Sequence, residues 1–288
     1  VASAFHRRPG FRVVILYPSG RVSARQAHQL GSFQDNVTAL QVRGSFDDCQ
    51  SMVKTAFGDT ELASTLRLVS ANSISLGRLL PQAAYFAHAA LAAYARTGEP
   101  VPMVVPSGNL GNGFACLLAR ARGFPIGDVT FAANANRVVP DALATGVYEP
   151  RPSVATLANA MDVGAPSNLE RLISWFSLQP ASVSADSVDD RSIEASIVRT
   201  FHRFGVAVCP HTACGLEVLH REREKRRSTG TAIVAATAHP AKFESIVEPL
   251  INEKVPVPTG LAELLRRPSK ADFLDATFAA LKAMLMAS

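Results

Sequence analysis

The sequence contains no run of apolar residues that approaches the roughly 20 needed to cross a membrane, so we predict no transmembrane segment. It also lacks internal repeats and low-complexity linkers, and its 18 glycines and 18 prolines are too few for a fibrous or disordered chain. Only 18% of the 288 residues are charged, whereas 48% are hydrophobic. This composition is ample for a large buried core and predicts one large or two ordinary domains.

Cysteine is scarce as well, and its placement excludes two classes of protein. The four cysteines show no regular spacing of the kind that a disulfide framework has, which favours a reducing, cytoplasmic location. Cys209, His211 and Cys214 come nearest to a metal-ligand pattern, but their spacing is too short and a fourth ligand is missing. We therefore predict neither a secreted disulfide scaffold nor a metal site.

The charge distribution argues against a nucleic-acid partner. The formal net charge is +5, and the densest charge run occupies residues 220–227, where acidic and basic side chains alternate. No aromatic residues are interspersed with them, as stacking on single strands would need, so we interpret the run as a solvated helix face. The modest excess of positive charge favours small anionic substrates instead.

Strand and helix patterns alternate at the start of the chain. Apolar runs at residues 12–17 and 36–43 predict buried parallel strands, and each is followed by a helical pattern. Ser23 and Ser45 stand where the N-caps of these two helices would lie. Residues 1–70 are therefore predicted to form a small α/β domain with a parallel sheet.

Residues 71–288 are predicted to form a second, larger α/β domain with a helical insert. Residues 150–205 are predicted to be mostly loop and helix. A stripe of apolar residues at helical spacing predicts a C-terminal helix over residues 271–286, and its members are Leu274, Phe278, Leu281 and Leu285. The other predicted elements are helices at 80–95 and 113–122 and strands at 101–105, 129–133, 206–209 and 231–236.

The most informative segment is residues 104–113, with the sequence VVPSGNLGNG. A buried strand runs into a glycine-rich turn and then into a helix, a geometry that aims backbone N–H groups at an anion. We expect Gly108 and Gly111 to let the backbone approach that anion, and Asn109 and Asn112 to donate side-chain hydrogen bonds to it. The spacing matches neither the dinucleotide fingerprint nor the nucleotide P-loop, which favours a cofactor monophosphate. An ordinary glycine-rich strand–helix turn is the alternative.

The hexapeptide SGNLGN at residues 107–112 is similar to the phosphate-binding loop of threonine synthases, usually SGNFGN. Further blocks resemble that family in the same order and cover nearly the whole chain. They lie at residues 18–23, 44–54, 72–75, 123–126, 133–136, 145–148, 153–156, 160–162, 167–171, 210–213 and 237–243. The resemblance implies a pyridoxal-phosphate (PLP) enzyme of fold type II, the tryptophan-synthase-β type. Its fold class is α/β, with two parallel-sheet domains and a cofactor cleft between them.

The resemblance also assigns roles to single residues. The cofactor phosphate would lie on Gly108, Asn109, Leu110, Gly111 and Asn112, and the hydroxyl of Thr237 would meet the pyridine nitrogen. Substrate binding would fall to Asn72, Ser73 and Arg78, since an arginine suits a phosphate or a carboxylate.

Each of these roles has a structural alternative. Thr237 could be a threonine that caps a strand end, and Asn72 with its neighbours could form a hydrogen-bonded turn between the domains. We interpret His239 as a structural histidine near the cofactor rather than as an acid or base. Asp162, Glu170 and Arg171 are interpreted as an internal ion-pair network.

The lysine that such enzymes need for the Schiff base with PLP is not evident in this chain. The six lysines, at positions 54, 225, 242, 254, 270 and 282, all stand outside the expected context, so no catalytic residue is assigned here. The resemblance implies a lysine upstream of this sequence.

The implied reaction converts O-phospho-L-homoserine and water to L-threonine and phosphate, in a cytoplasmic monomer or homodimer. The alternatives are another fold-type-II lyase, such as a phosphohomoserine phospho-lyase, and a non-catalytic PLP-binding fragment or pseudoenzyme.

Overall fold

The computed structural model describes residues 2–73, 75–176, 183–226 and 229–287. The chain divides into two compact units, one of residues 1–69 and 256–288 and the other of residues 70–255. Arg227, the last residue of the charge run, lies outside the described residues. None of the helices in the described ranges combines the length and the apolar character that a membrane span requires.

The strands are β1 (Val13–Pro18), β2 (Val37–Arg43), β3 (Val101–Pro106), β4 (Ile126–Ala133), β5 (Val183–Ser187), β6 (Ile233–Val234) and β7 (Asp272–Asp275). The helices are α1 (Ala2–Phe5), α2 (Ala24–Gly31), α3 (Phe46–Gly58), α4 (Thr60–Thr65), α5 (Leu76–Thr97), α6 (Gly111–Ala121), α7 (Val138–Thr145), α8 (Leu169–Phe176), α9 (Asp190–Phe204), α10 (Pro210–Arg226), α11 (Glu244–Ile251), α12 (Thr259–Leu265) and α13 (Phe278–Met286). Short 3₁₀ helices lie at Asn159–Met161 and Pro240–Phe243.

The first unit is built on a parallel sheet in the order β1-β2-β7. Both predicted helix caps are confirmed, because the hydroxyl groups of Ser23 and Ser45 accept from the backbone N–H groups of Gln26 and Asp48. Each of these partners also accepts from the cap's own backbone N–H, so both helices begin with a capping box.

The predicted C-terminal helix over residues 271–286 is wrong in its first part. Leu274 lies in β7, where it pairs with Val42, and α13 begins only at Phe278. Leu281 and Leu285 of α13 are buried in the core of the first unit. The predicted assignment of this segment to the larger domain therefore differs from the observed division. The apolar residues of the stripe do pack in the core. The spacing of residues within the segment does not reveal that its first part pairs with β2, more than 200 residues away.

The second unit contains a parallel sheet in the order β5-β4-β3-β6. Its core is formed by buried side chains of β3, β4, α5 and α6, among them Phe86, Met103, Phe114, Leu117 and Phe131. Helices α5 and α6 both begin earlier than predicted, so Gly111 and Asn112 belong to the first turn of α6.

Two strand predictions fail in the second unit. Residues 206–209 form no strand but connect α9 to α10, and the Val206 side chain is 52% exposed. The strand that was missed is β5, whose sequence VSADS is polar because it lies at the edge of the sheet. The strand predicted over residues 231–236 is shorter in the structure, where β6 contains only two residues.

The parallel direction of the sheet sets the location of the candidate site. Since β3, β4 and β6 are parallel neighbours, the segments that follow them emerge at one edge. The loop that begins at Ser107 follows β3, Asn134 follows β4, and Thr237 stands three residues after the end of β6.

Replacing Leu281 with alanine tests the place of the C-terminal segment in the first unit. Leu281 is only 2% exposed, so we expect the free energy of unfolding to fall by about 2–5 kcal/mol in denaturant titrations. The matched control is Met286→Ala, at a side chain that is 40% exposed, which should change stability by no more than about 0.5 kcal/mol. Equal effects of the two substitutions would contradict this packing.

Candidate functional site

The turn between β3 and α6 has a left-handed residue at its centre, Leu110, with φ 57° and ψ 16°. This conformation costs a residue with a Cβ atom roughly 1–2 kcal/mol, and the Leu110 side chain is fully buried. A left-handed residue next to a helical turn points successive N–H groups toward one side, which forms a concave anion site. The left-handed backbone conformation thus falls on a buried leucine, and neither Gly108 nor Gly111 has a positive φ.

Consecutive backbone N–H groups in this turn are available to a ligand. The N–H groups of residues 108–112 donate to no protein acceptor within the described part of the chain. Leu110 occupies the N-cap position of α6 without capping the helix through its side chain, and the first turn contains no acidic residue. Since these N–H groups have no protein acceptor and helix N-termini favour negative charge, this geometry suits an anion.

The glycines of the turn make room for the protein's own chain. A Cβ atom on Gly108 would lie 2.6 Å from the Met161 Cα atom, and one on Gly111 would lie 2.9 Å from the Ser73 Cβ atom. These glycines let two neighbouring segments pack against the turn, and the approach of an anion to them stays a prediction.

The side chain of Asn109 is bound on several sides. Its Nδ2 atom donates to Ser73 Oγ at 2.6 Å, and its Oδ1 atom accepts from the backbone N–H of Ser167 at 2.7 Å and from the Ser167 hydroxyl at 3.1 Å. The Asn109 carbonyl accepts from Asn168 Nδ2 at 2.9 Å. These bonds hold the turn in place. Donation by Asn109 to an anion stays a prediction, because its amide nitrogen has two N–H groups and Ser73 accepts from one of them.

Asn112 has a similar internal role. Its Nδ2 atom donates to the Pro106 carbonyl at 2.9 Å, and its Oδ1 atom accepts from the Ser107 hydroxyl and from the backbone N–H of Gly113 at 3.0 Å. Both asparagines of the motif therefore shape the loop through hydrogen bonds within the protein.

Arg171 connects the segments that hold Asn109. Its Nη1 atom donates to the Ser73 carbonyl at 3.2 Å and to Asn168 Oδ1, and its guanidinium group lies 5.7 Å from the centre of the Phe114 ring. These two acceptors are neutral groups and Glu170 is exposed, and the ion-pair network of Asp162, Glu170 and Arg171 stays a prediction.

Asp162 anchors the other segment that touches the turn. Its carboxylate accepts from Asn134 Nδ2 at 2.8 Å and from Thr156, through the hydroxyl at 2.7 Å and the backbone N–H at 3.1 Å. Burial raises the pKa of Asp162 to about 6, although these hydrogen bonds oppose the rise. The network fixes the neighbouring Met161 backbone against Gly108.

The three residues that come nearest to a metal-ligand pattern have other partners in the structure. His211 Nε2 accepts from the backbone N–H of Ala160 at 3.1 Å, and burial lowers the pKa of His211 to about 4, so the ring is neutral at pH 7. The Cys214 thiol donates to a backbone carbonyl, and the Cys209 thiol contacts the hydroxyl of Thr212. Over the described ranges, no three His, Cys, Asp or Glu side chains gather as a metal site would require.

The other candidate residues are placed as follows. Ser73 contacts the turn through Asn109, whereas Asn72 accepts from the Ser70 hydroxyl at 2.6 Å and Arg78 is exposed in the first turn of α5. Thr237 is exposed after β6. His239 Nδ1 accepts from the backbone N–H of Ala241 at 3.2 Å and so caps the 3₁₀ helix that follows it, which is a structural role.

Comparison with known proteins decides the family. A family model described as "Threonine synthase, C-terminal" matches residues 212–285. The threonine synthase of Escherichia coli (strain K12) is 37% identical over 99% of this chain and 67% of its own length, and that of Haemophilus influenzae is 35% identical over 100% and 68%. The chain belongs to the threonine synthase family.

Solved structures agree with this assignment. The crystal structure of threonine synthase from E. coli matches with a TM-score of 0.91 and 36% identity over 100% of this chain and 67% of the other. The PLP-bound threonine synthase from Brucella melitensis matches with a TM-score of 0.81 and 31% identity over 98% and 66%.

Relatives under 25% identical share the fold alone, among them maize serine racemase with a TM-score of 0.54 and 16% identity over 80% of this chain and 67% of the other. The predicted α/β class with parallel sheets, as in fold-type-II enzymes, is confirmed. The chain spans about two thirds of the length of the curated threonine synthases that it matches.

Sequence reasoning missed the residues that support the loop from outside the motif. Ser167, Asn168 and Arg171 lie in a block that resembles the threonine synthase family, but no spacing within it indicates contact with Asn109. The contact of Met161 with Gly108 was hidden for the same reason, since 53 positions separate the two residues. Such contacts depend on how the segments after neighbouring strands meet at the sheet edge.

Replacing Gly108 with alanine tests the close approach of Met161. The added methyl group would meet backbone atoms that have little freedom to move, so we expect a loss of about 1–3 kcal/mol in the free energy of unfolding. Gly77→Ala is the matched control, because an added Cβ there meets only ordinary contact and alanine favours a helix. A Gly108→Ala protein as stable as Gly77→Ala would contradict the packing.

The titration of Asp162 predicts a pH-dependent contribution to stability. Because burial raises its pKa, the folded state binds the proton more tightly than the unfolded state between about pH 4 and pH 6. The stabilisation is complete below about pH 4, and roughly 2–3 kcal/mol is lost as the pH rises through 6.

Denaturant titrations of the wild type and Asp162→Asn across this range measure the effect. We expect the stability difference between the two proteins to favour the wild type increasingly as the pH falls. A difference that stays constant from pH 4 to pH 7 would show that Asp162 titrates normally.

Proposed function

We propose that this chain forms the phosphate-binding part of a PLP-dependent threonine synthase, a lyase that converts O-phospho-L-homoserine and water to L-threonine and phosphate. The observation that carries the proposal is the set of N–H groups at residues 108–112, which meet no acceptor in the described part of the chain. They stand at the uncapped N-terminus of α6, where a phosphate monoester fits. The PLP-bound relative from B. melitensis supports this choice of anion.

The residues present fit the cofactor at two points. The N–H groups of residues 108–112 would hold its phosphate, and the Thr237 hydroxyl, which emerges at the same sheet edge, would meet its pyridine nitrogen. When bound, PLP supplies an electron sink for charge that develops at the substrate's α-carbon. A neutral hydroxyl at Thr237 does not hold the pyridine nitrogen protonated as a carboxylate would. Thr237 would therefore moderate this electron sink.

The substrate is proposed to be a small phosphorylated amino acid. The Ser73 hydroxyl is bound to Asn109, so Ser73 acts first on the shape of the loop. The guanidinium group of Arg78 is exposed and available to a phosphate or carboxylate, while Asn72 shapes the turn that precedes α5. The net charge of +5 favours the approach of an anion.

We propose that the lysine needed for covalent binding of PLP lies in the third of the family's length that this chain does not span. Lys282 is bound to Asp59 and Glu61, both at 2.8 Å, and Lys254 to Glu248 at 2.6 Å. Lys54 and Lys225 lie within helices, and Lys242 and Lys270 complete the set of six.

A cytoplasmic location and a monomeric or homodimeric state are proposed with this function. All four cysteines are buried free thiols, and burial raises the pKa of Cys49, Cys116 and Cys214 to about 12. Thiols of this kind suit a reducing compartment.

Product analysis tests the reaction. The naturally expressed protein, supplied with PLP and O-phospho-L-homoserine, should release phosphate and L-threonine in equal amounts, measured by a phosphate assay and by chromatography. Release of phosphate with a keto acid would indicate a phospho-lyase instead. Binding of PLP without any turnover would identify a non-catalytic PLP-binding protein.

Replacing Thr237 with aspartate tests its proposed contact. A carboxylate beside the pyridine nitrogen should raise the pKa of that nitrogen, so we expect ¹⁵N NMR of bound, labelled PLP to show a protonated ring at pH 7. Thr237→Ser, which keeps a hydroxyl, is the matched control and should resemble the wild type. An unchanged nitrogen signal in Thr237→Asp would place Thr237 away from the ring.

A further inference from the structure

Asn109 is the residue through which the rest of the unit holds the turn. It precedes the left-handed Leu110, and three of its polar atoms are bound to Ser73, Ser167 and Asn168. A left-handed residue with a side chain persists only where its surroundings determine the conformation. The direction of the loop N–H groups therefore depends on these three partners.

Two of the three partners are in turn held by Arg171. Its Nη1 atom donates to the carbonyl of Ser73 and to the side-chain oxygen of Asn168, and each of these residues binds Asn109 through a different group. Asn168 is fully buried, so a lost hydrogen bond there leaves a polar group unsatisfied. The face of the Phe114 ring lies beside the guanidinium group and limits its movement.

We propose that Arg171 is a positioning residue, which holds the loop of residues 107–112 in its anion-binding conformation by connecting Ser73 with Asn168. Arg171 acts through Asn109 and needs no contact with the ligand. Without Arg171, the segments that contain Ser73 and Asn168 are no longer connected to each other. The N–H groups of residues 108–112 then no longer point toward one side. The inference rests on the proposed function, because the anion concerned is the phosphate group of PLP.

The first test is the affinity for PLP of the naturally expressed protein with Arg171→Met, measured by equilibrium dialysis. Methionine keeps most of the apolar contact but removes the donors, so we expect the Kd for PLP to rise about tenfold. The matched control is Arg96→Met, at an exposed arginine in the last turn of α5, which should bind PLP as the wild type does. An unchanged Kd in Arg171→Met would contradict the inference.

The second test needs no cofactor. Amide hydrogen exchange of the PLP-free protein should be faster at residues 108–112 in Arg171→Met than in the wild type, because the loop opens more often. The later turns of α6 should exchange as before, and Arg96→Met should change neither region. Unchanged exchange at the loop, or an equal increase throughout the second unit, would show that Arg171 has only a general structural role.

A double-mutant cycle separates positioning from direct attraction of the phosphate by charge. The cycle compares the losses of PLP-binding free energy in Arg171→Met, in Asn168→Ala and in the double variant. If Arg171 acts through Asn168, the loss in the double variant should be clearly smaller than the sum of the two single losses. Additive effects would indicate that the charge acts independently and would overturn the inference. Should Arg171→Met fail to fold, Asn168→Ala alone should reproduce the weaker binding and faster loop exchange, and its failure to do so would contradict the inference.

The outcomes distinguish this inference from the function on which it rests. A wild type that binds no PLP would refute the proposed function, whereas loop exchange in the PLP-free protein still measures the effect of Arg171. A wild type that binds PLP, with a variant unchanged in both affinity and loop exchange, would refute the inference alone.

Discussion

The backbone N–H groups between β3 and α6 are the feature on which the site depends. The first N–H groups of a helix have no acceptor within the helix, and here the N–H groups of residues 108–112 meet none in the described part of the protein. The left-handed Leu110 turns the donors together, and α6 adds the positive end of its dipole. An anion satisfies all of these requirements at once.

The shape of the turn is determined by segments that are distant in the sequence. On one side, the Asp162 network holds Met161 against Gly108, and on the other side Ser73, Asn168 and Arg171 converge on Asn109. Both supports form their side-chain hydrogen bonds inside the protein, and the backbone N–H groups of residues 108–112 have no acceptor in the described part of the chain. A residue in one of these supports can therefore change the affinity for a ligand without contacting the ligand.

Features that depend on interactions between neighbours in the sequence could be predicted, and features that depend on distant segments could not. The sequence predicts the caps Ser23 and Ser45 and the strand–turn–helix around residues 107–112, because the signals for these features lie within a few residues. The edge strand β5 and the long-range strand β7 were not predicted, since β5 is polar and β7 is defined by its pairing with β2. The motif identified the loop, but the tasks of its glycines and asparagines depend on contacts with other segments.

Binding of PLP by this chain, as proposed, requires that a lysine in the third of the family's length outside the chain form the covalent bond. Borohydride reduction of the naturally expressed protein in the presence of PLP, followed by peptide mapping by mass spectrometry, tests that requirement most directly. We predict a single pyridoxyl group on a lysine outside these 288 residues. A pyridoxyl group on one of the six lysines of this chain, or on no lysine at all, would contradict the account.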